Sequence, residues 1–319
     1  METWVSQDIS AARYRRVASV DLEGAIFFRS LIGAVLVPKK PKGQAEVCRI
    51  CFKQGRTHTI AISSSVDPQF TASVIAPNTN MANCIYQYSV LGALMDGICQ
   101  DGTTAQNILK HGDHGIGTMR GLNGELVIID GVAYHFPADG PLRPVEDADI
   151  IPYAMATKFQ PTLTSHVPCT SMSSLFDTLS PVFPGEQNVF LSIRLVASFS
   201  RVVFRVIPAQ SNPRETLLDL AKRQEIRECR HIQGTLFGFW SPKYTSGLSV
   251  PGFHLHLLST DRTLGGHVMD FDAEDGQLGA AVVRNYQVEL PDSEEFREAP
   301  LNCVKEQELH TAEGVPTSH

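Results

Sequence analysis

Residues 252–271 leave the backbone few choices other than a β-hairpin. Val250, Phe253, Leu255, Leu257 and Leu258 suit a pleated, half-buried surface, and Ser259-Thr260-Asp261-Arg262 is turn chemistry. A second apolar run, 264–271, follows directly. His254 and His256 are two residues apart, so on a strand both imidazoles leave the same face. His267, after Gly265-Gly266, adds a third imidazole from the return strand. Three neutral imidazoles suit zinc, and three protein ligands leave one position open for water or substrate, as a catalytic site requires. The bland alternative is two histidines on an exposed strand and an unrelated third. A lone His-x-His is mostly coincidence, but the third histidine on the return strand favours a metal site. A cupin-type site would want a glutamate a few residues after the second histidine, and Asp261 is the only carboxylate nearby.

The rest of the composition narrows the function. At 319 residues the chain is long enough for one large core or two. The net charge of -7, with no Lys/Arg-rich run, disfavours nucleic acid, whose backbone demands a basic face. No apolar run reaches the length of a membrane span; the best, 24–37, is interrupted by Arg29. Glu2, Asp8, Asp21 and Glu23 spoil a secretory signal, so a soluble, cytoplasmic protein is expected. Seven scattered cysteines, an odd number, agree with a reducing compartment. Cys48 and Cys51 form a CxxC with His58 shortly after. With no second pair and no strand-to-helix context, they read as strand cysteines rather than a metal or redox site.

Along the chain, the polar breaker Pro38-Lys39-Lys40-Pro41-Lys42-Gly43 separates the apolar run 24–37 from β-like runs at 47–52, 58–66 and 70–76. A helix is expected from a Ser89 N-cap to Asp96-Gly97, and a second over 104–111, stopped by Gly112 at C′. Strands are expected at 125–130, 132–136, 190–199, 202–207 and 234–240, and one more helix at 213–224. Asp130-Gly131 between two apolar runs marks a two-residue hairpin turn. The expected class is α+β: two packed subdomains on mixed or antiparallel sheets, with a few short helices and the three-histidine site on a C-terminal hairpin.

Three separated blocks carry a family resemblance. Tyr86-Gln87-Tyr88-Ser89 leads to Leu94-Met95-Asp96-Gly97. Leu109-Lys110-His111-Gly112-Asp113-His114-Gly115-Ile116-Gly117-Thr118 follows, then Leu122-Asn123-Gly124-Glu125-Leu126. These closely resemble the N-terminal half of α-acetolactate decarboxylase. The histidine hairpin, preceded by Gly234-Thr235-Leu236-Phe237-Gly238-Phe239 and Pro242-Lys243-Tyr244, looks like its C-terminal half. The match covers about 83–316, so residues 1–80 stand as an extension of unassigned role before a catalytic domain over 81–319, with subdomains at about 81–185 and 186–319. The resemblance implies decarboxylation of (S)-2-acetolactate to (R)-acetoin and CO2 on zinc held by His254, His256 and His267, in a homodimer. By motif position it also implies catalytic roles for Glu125, Thr118, Arg205 and the C-terminal Glu313, with Glu306 and Glu308 as nearby competitors.

The chemistry accounts for those residue types. Loss of CO2 from a 2-hydroxy-3-oxo acid sends an electron pair toward the adjacent ketone, and a Lewis acid on the ketone and hydroxyl oxygens makes that ketone a better sink. The ketone thereby replaces thiamine or pyridoxal. Arg205 offers a planar fork to the carboxylate or the developing oxyanion. Glu125 or Glu313 then delivers a proton to one face, which sets the product's chirality. Each residue has a bland reading: a solvated strand charge for Glu125, a surface ion pair for Arg205, a loose polar tail for Glu313, a loop turn for Thr118. Asp113 and His114 invite an acid–base reading, but loop packing is preferred. Two other functions fit less well. One is another metal-dependent lyase or hydrolase on a small keto acid. The other is a non-catalytic small-ligand or DNA-associated module with a similar His-x-His…Gly-Gly-His hairpin, disfavoured by the acidic charge and both glutamates.

Overall fold

The computed structural model describes residues 82–179, 188–301 and 308, together with strand segments among the first 62 residues. The chain divides into two units, Met1–Val74 and Ile75–His319. In the first, β1 (Ala18–Val20), β2 (Ile26–Ser30) and β3 (Gly33–Val37) form an antiparallel sheet, and β4 (Glu46–Cys51) pairs antiparallel with β5 (Thr57–Ile62). Cys48 and Cys51 lie on β4 and His58 on β5. The run expected at 70–76 is outside the described residues.

The second unit begins with β6 (Cys84–Tyr88), α1 (Leu91–Met95), the two-residue β7 (Thr103–Thr104), α2 (Ala105–His111), β8 (His114–Thr118), β9 (Glu125–Ile129) and β10 (Val132–Phe136). Short β11 (Arg143–Pro144) and β12 (Ile150–Ile151) precede β13 (Tyr153–Thr157), β14 (Leu163–Ser171) and α3 (Leu175–Leu179). Then come β15 (Phe190–Val206), α4 (Leu217–Ala221), β16 (Glu225–Ser241), β17 (Gly252–Ser259), β18 (Gly265–Val283), β19 (Asn285–Glu289) and α5 (Glu294–Glu298).

Two sheets dominate. A seven-stranded sheet runs β11-β10-β9-β8-β13-β6-β19, antiparallel except where β19 pairs parallel with β6. A five-stranded sheet runs β14-β18-β15-β16-β17, and β17 also pairs with β18. That last pairing closes β15, β16, β17 and β18 into a ring. Mixed sheets with a few short helices are therefore the architecture, and β19 returns the chain's end to the first sheet.

Period-two alternation assigns each strand face. Inside the ring, Leu195, Phe199, Phe204, Leu236, Leu255, Leu257 and Phe271 form one core, closed by Leu175 and Leu179 of α3. Phe237, Phe239 and Leu258 leave the ring's outer face and meet Ile116, Val127, Ile129 and Met155 of the seven-stranded sheet. The sheet's far face carries Leu126, Ile128, Ala154 and Ala156 against Ile108 of α2. Residues of alternate parity on β9, β17 and β18 therefore converge on the seam between the ring and the sheet.

Local differences from the sequence pattern have identifiable causes. Ser89 does not cap α1; it has φ +67, its N–H bonds Glu289 O at 2.8 Å, and Val90 is the cap. Thr104 caps α2 through Asn107 N, but Gly112 ends it in extended rather than left-handed backbone because it enters β8. The expected strands at 190–199 and 202–207 are one bulged strand, with register shifts at 196–198, 199–201 and 203–204. The helix expected over 213–224 covers only Leu217–Ala221, capped by Thr216. The Asp130-Gly131 turn has φ +51 and +78, the primed hairpin geometry that its sequence calls for.

Candidate active site

His254 and His256 stand on β17 and His267 on β18, with His256 and His267 directly paired across the two strands. All three are buried, and their ligand atoms lie within 4.8 Å of one another. The site is thus assembled on the outer face of the ring and roofed by β9 of the neighbouring sheet. The Leu126 carbonyl of β9 receives a hydrogen bond from His256 Nδ1 at 2.7 Å, which fixes the tautomer and leaves Nε2 with its lone pair. Burial, with Arg205 nearby, pushes His256 down to about 3; burial, His256 and Arg205 push His254 well below the ordinary range. Both rings are neutral at physiological pH, the form that ligates metal. His256 Nε2 and His254 Nδ1 are buried with no hydrogen-bond partner among the described residues. Neutral imidazoles with unused buried nitrogens fit a divalent ion such as zinc.

Other side chains reach the seam by register. Arg205, 2 % exposed, pairs with His267 across β15 and β18, so Arg205, His267 and His256 form one cross-strand row. On the opposing sheet Tyr153, Thr118 and Glu125 form a second row across β13, β8 and β9. Glu125 Oε2 lies 3.6 Å from His256 Nε2. All seven residues line one cavity of about 380 Å³, its mouth included. Leu91 and Leu94 of α1, Leu122, Ile207 and Leu217 complete an apolar wall. Such a cavity suits a small ligand with one polar, metal-chelating edge and short alkyl groups.

The turn before Glu125 is constrained from several sides. Gly124 has φ +75, and a Cβ there would fall 2.0 Å from the Phe136 carbonyl oxygen. Its N–H reaches Leu122 O and Ile207 O, the latter just beyond β15, so the turn is tied to the strand that carries Arg205. Thr118 Oγ1 donates to Gly124 O at 2.7 Å. Thr118 therefore sits on a buried strand, not the loop its neighbouring glycines suggested, and spends its hydroxyl on this turn.

Of the expected residues, the structure gathers His254, His256, His267, Glu125, Arg205 and Thr118 at one cavity. Glu313 and Glu306 lie outside the described residues. Asp113 and His114 do not line the cavity. His114 Nδ1 bonds Asp113 Oδ1 at 2.8 Å, and its ring packs against Phe159 and Phe237. Sequence reasoning missed the apolar wall and, among the polar lining residues, Tyr153; its strand, Tyr-Ala-Met-Ala-Thr, is buried throughout and shows no polar alternation to mark it.

Comparison with known proteins finds relatives of one family. The family model for alpha-acetolactate decarboxylase matches residues 85–303. The alpha-acetolactate decarboxylase of Methylococcus capsulatus is 34% identical over 229 residues, 72% of this chain and 88% of that protein. That of Bacillus subtilis is 33% identical over 233 residues, 73% of this chain and 91% of that protein. A crystal structure of alpha-acetolactate decarboxylase from Bacillus subtilis superposes with a TM-score of 0.68 at 32% identity, covering 72% of this chain and 99% of that one.

Proposed function

The chain belongs to the alpha-acetolactate decarboxylase family and is a carboxy-lyase, and from that premise we propose a zinc-assisted decarboxylation carried out in the seam between ring and sheet. The observation that carries it is the meeting of three buried histidines with Glu125, 3.6 Å from His256, and Arg205 in the same strand row. His254, His256 and His267 would hold the ion. Zinc held there would supply Lewis acidity toward the ketone of acetolactate.

The remaining work falls to side chains. The C1–C2 bond breaks, its electron pair enters a C2–C3 double bond, and the ketone oxygen takes the charge. Arg205 meets the carboxylate before cleavage and the developing oxyanion during it, with a fork fixed by strand pairing rather than by a mobile loop. The leucines and Ile207 exclude water and accommodate the methyl groups. Glu125 then protonates one carbon face, giving acetoin with one net proton taken up. Thr118 positions Glu125 through the Gly124 carbonyl. Glu313 stands as the second candidate donor: a carboxylate brought into a partly dry pocket takes a proton more readily than in water. A homodimer is what the family resemblance implies. Among the described residues no helix is long and apolar enough to cross a membrane.

Glu125→Gln and Glu313→Gln distinguish the donors. The true donor's variant keeps zinc, loses turnover on the order of 100-fold or more, and yields less enantiopure acetoin, because solvent protonates without guidance. Full turnover and chirality in both variants would remove the glutamate-donor mechanism.

A further inference from the structure

His135 is a buried histidine that the mechanism above leaves unused. It lies on β10 beside β9, in register with Leu126, and therefore projects from the sheet face opposite Glu125. Its Nε2 lies 2.6 Å from the Asn123 carbonyl oxygen. A carbonyl only accepts, so Nε2 carries the proton and donates. Nδ1 is buried with no hydrogen-bond partner among the described residues. Burial lowers the affinity of this ring for a second proton, which keeps the donating tautomer neutral.

The position of that carbonyl gives the bond its consequence. Asn123, Gly124 and Glu125 are consecutive, and side chains hold the two carbonyls that precede Glu125 from different strands. His135 takes Asn123 O and Thr118 takes Gly124 O. The neighbours of His135 on β10 point the other way, toward the metal hairpin. Tyr134 receives the Arg262 guanidinium 4.8 Å above its ring, at the hairpin turn. The Phe136 ring lies over Gly265 so closely that a Cβ there would fall 2.0 Å from it. β10 therefore grips the histidine hairpin with one face and the Glu125 turn with the other.

We propose that His135 is a positioning residue for the decarboxylation, holding the Asn123 carbonyl so that the turn aims Glu125 at the three-histidine site. The inference rests on the reading of Glu125 as proton donor. Removing the bond takes the donor from a partly buried carbonyl and frees the turn to shift, while the metal ligands keep their own support from Leu126.

The test uses the full-length zinc-loaded enzyme and two variants that differ by one methylene. His135→Asn is too short to reach the carbonyl; His135→Gln restores the reach with an amide donor. We expect H135N to keep wild-type zinc content but lose kcat on the order of 10-fold, with KM within about twofold and acetoin less enantiopure. H135Q should recover both rate and chirality. A purely stabilising role would lower the melting temperature without changing product chirality. H135N with wild-type kcat and enantiopurity would overturn the proposal, as would an H135Q that fails to recover either. If the variants do not fold, the wild-type protein decides by nitrogen NMR: a neutral ring protonated at Nε2 is expected, and an Nδ1-protonated or charged ring at neutral pH overturns the proposal. Glu125→Gln separates the two claims. A fully active E125Q removes the donor reading and with it this inference. An inactive E125Q beside an unaffected H135N removes the inference alone.

Discussion

At His256 one ring serves two strands. Its Nδ1–H is spent on Leu126 O at 2.7 Å, and its Nε2 faces the centre shared by His254 and His267. Fixing the tautomer in this way would pre-orient the ring as a ligand before any ion arrives. His256→Ala should therefore lose metal and turnover together. It also leaves a buried carbonyl without its donor, for a stability loss of about 1–3 kcal/mol that leaves the protein folded. Elemental analysis, turnover and thermal unfolding of one preparation measure all three. An active, metal-free H256A would sink the mechanism.

Among the elements, the Asn123-Gly124 turn is the most demanding. Alanine at Gly124 would have to hold φ +75 and place its Cβ 2.0 Å from Phe136 O. G124A should lose about 2 kcal/mol or more of stability and displace Glu125, with turnover falling further than the stability loss alone would bring about. Wild-type midpoint and rate in a denaturant titration and an acetoin assay would show that the turn has slack. How legible each element was depended on burial. The β9–β10 hairpin was readable because Asp130-Gly131 supplies both positive φ values and the flanking runs are apolar. The histidine strands were readable because the His-x-His spacing among strand formers matches period two. β8 and β13 were not: His-Gly-Ile-Gly-Thr reads as loop, and Tyr-Ala-Met-Ala-Thr has cores on both faces, so neither alternates polar with apolar. Glycine at 117 is there for approach, since a Cβ would fall 2.3 Å from Tyr153 O. Nor does a sequence announce that residues 190–206 form one bulged strand, because the bulges fall where the alternation breaks.

For the whole molecule, the site joins the two sheets of the second unit, so its charge state enters the stability of the entire fold. His254 and His256 are held neutral in the folded protein, His256 down to about 3, against 6.5 when exposed. Between those values the unfolded chain binds more protons than the folded one, so stability falls as pH falls. Metal-free protein should lose up to about 1.4 kcal/mol per pH unit for each such histidine below 6.5, and the slope should vanish above it. Denaturant titrations of the stripped protein from pH 8 to 5 measure this, and a flat profile would mean that the two rings are not buried neutral. Everything else rests on the ion and the reaction sharing one place. The direct measurement is acetoin formed from racemic acetolactate by protein stripped of metal and titrated back with zinc. Turnover should be absent at the start, rise in proportion to added zinc, and break at one ion per chain, as a single three-histidine site requires. Full turnover in the stripped protein, or a plateau reached at some other stoichiometry, would contradict it.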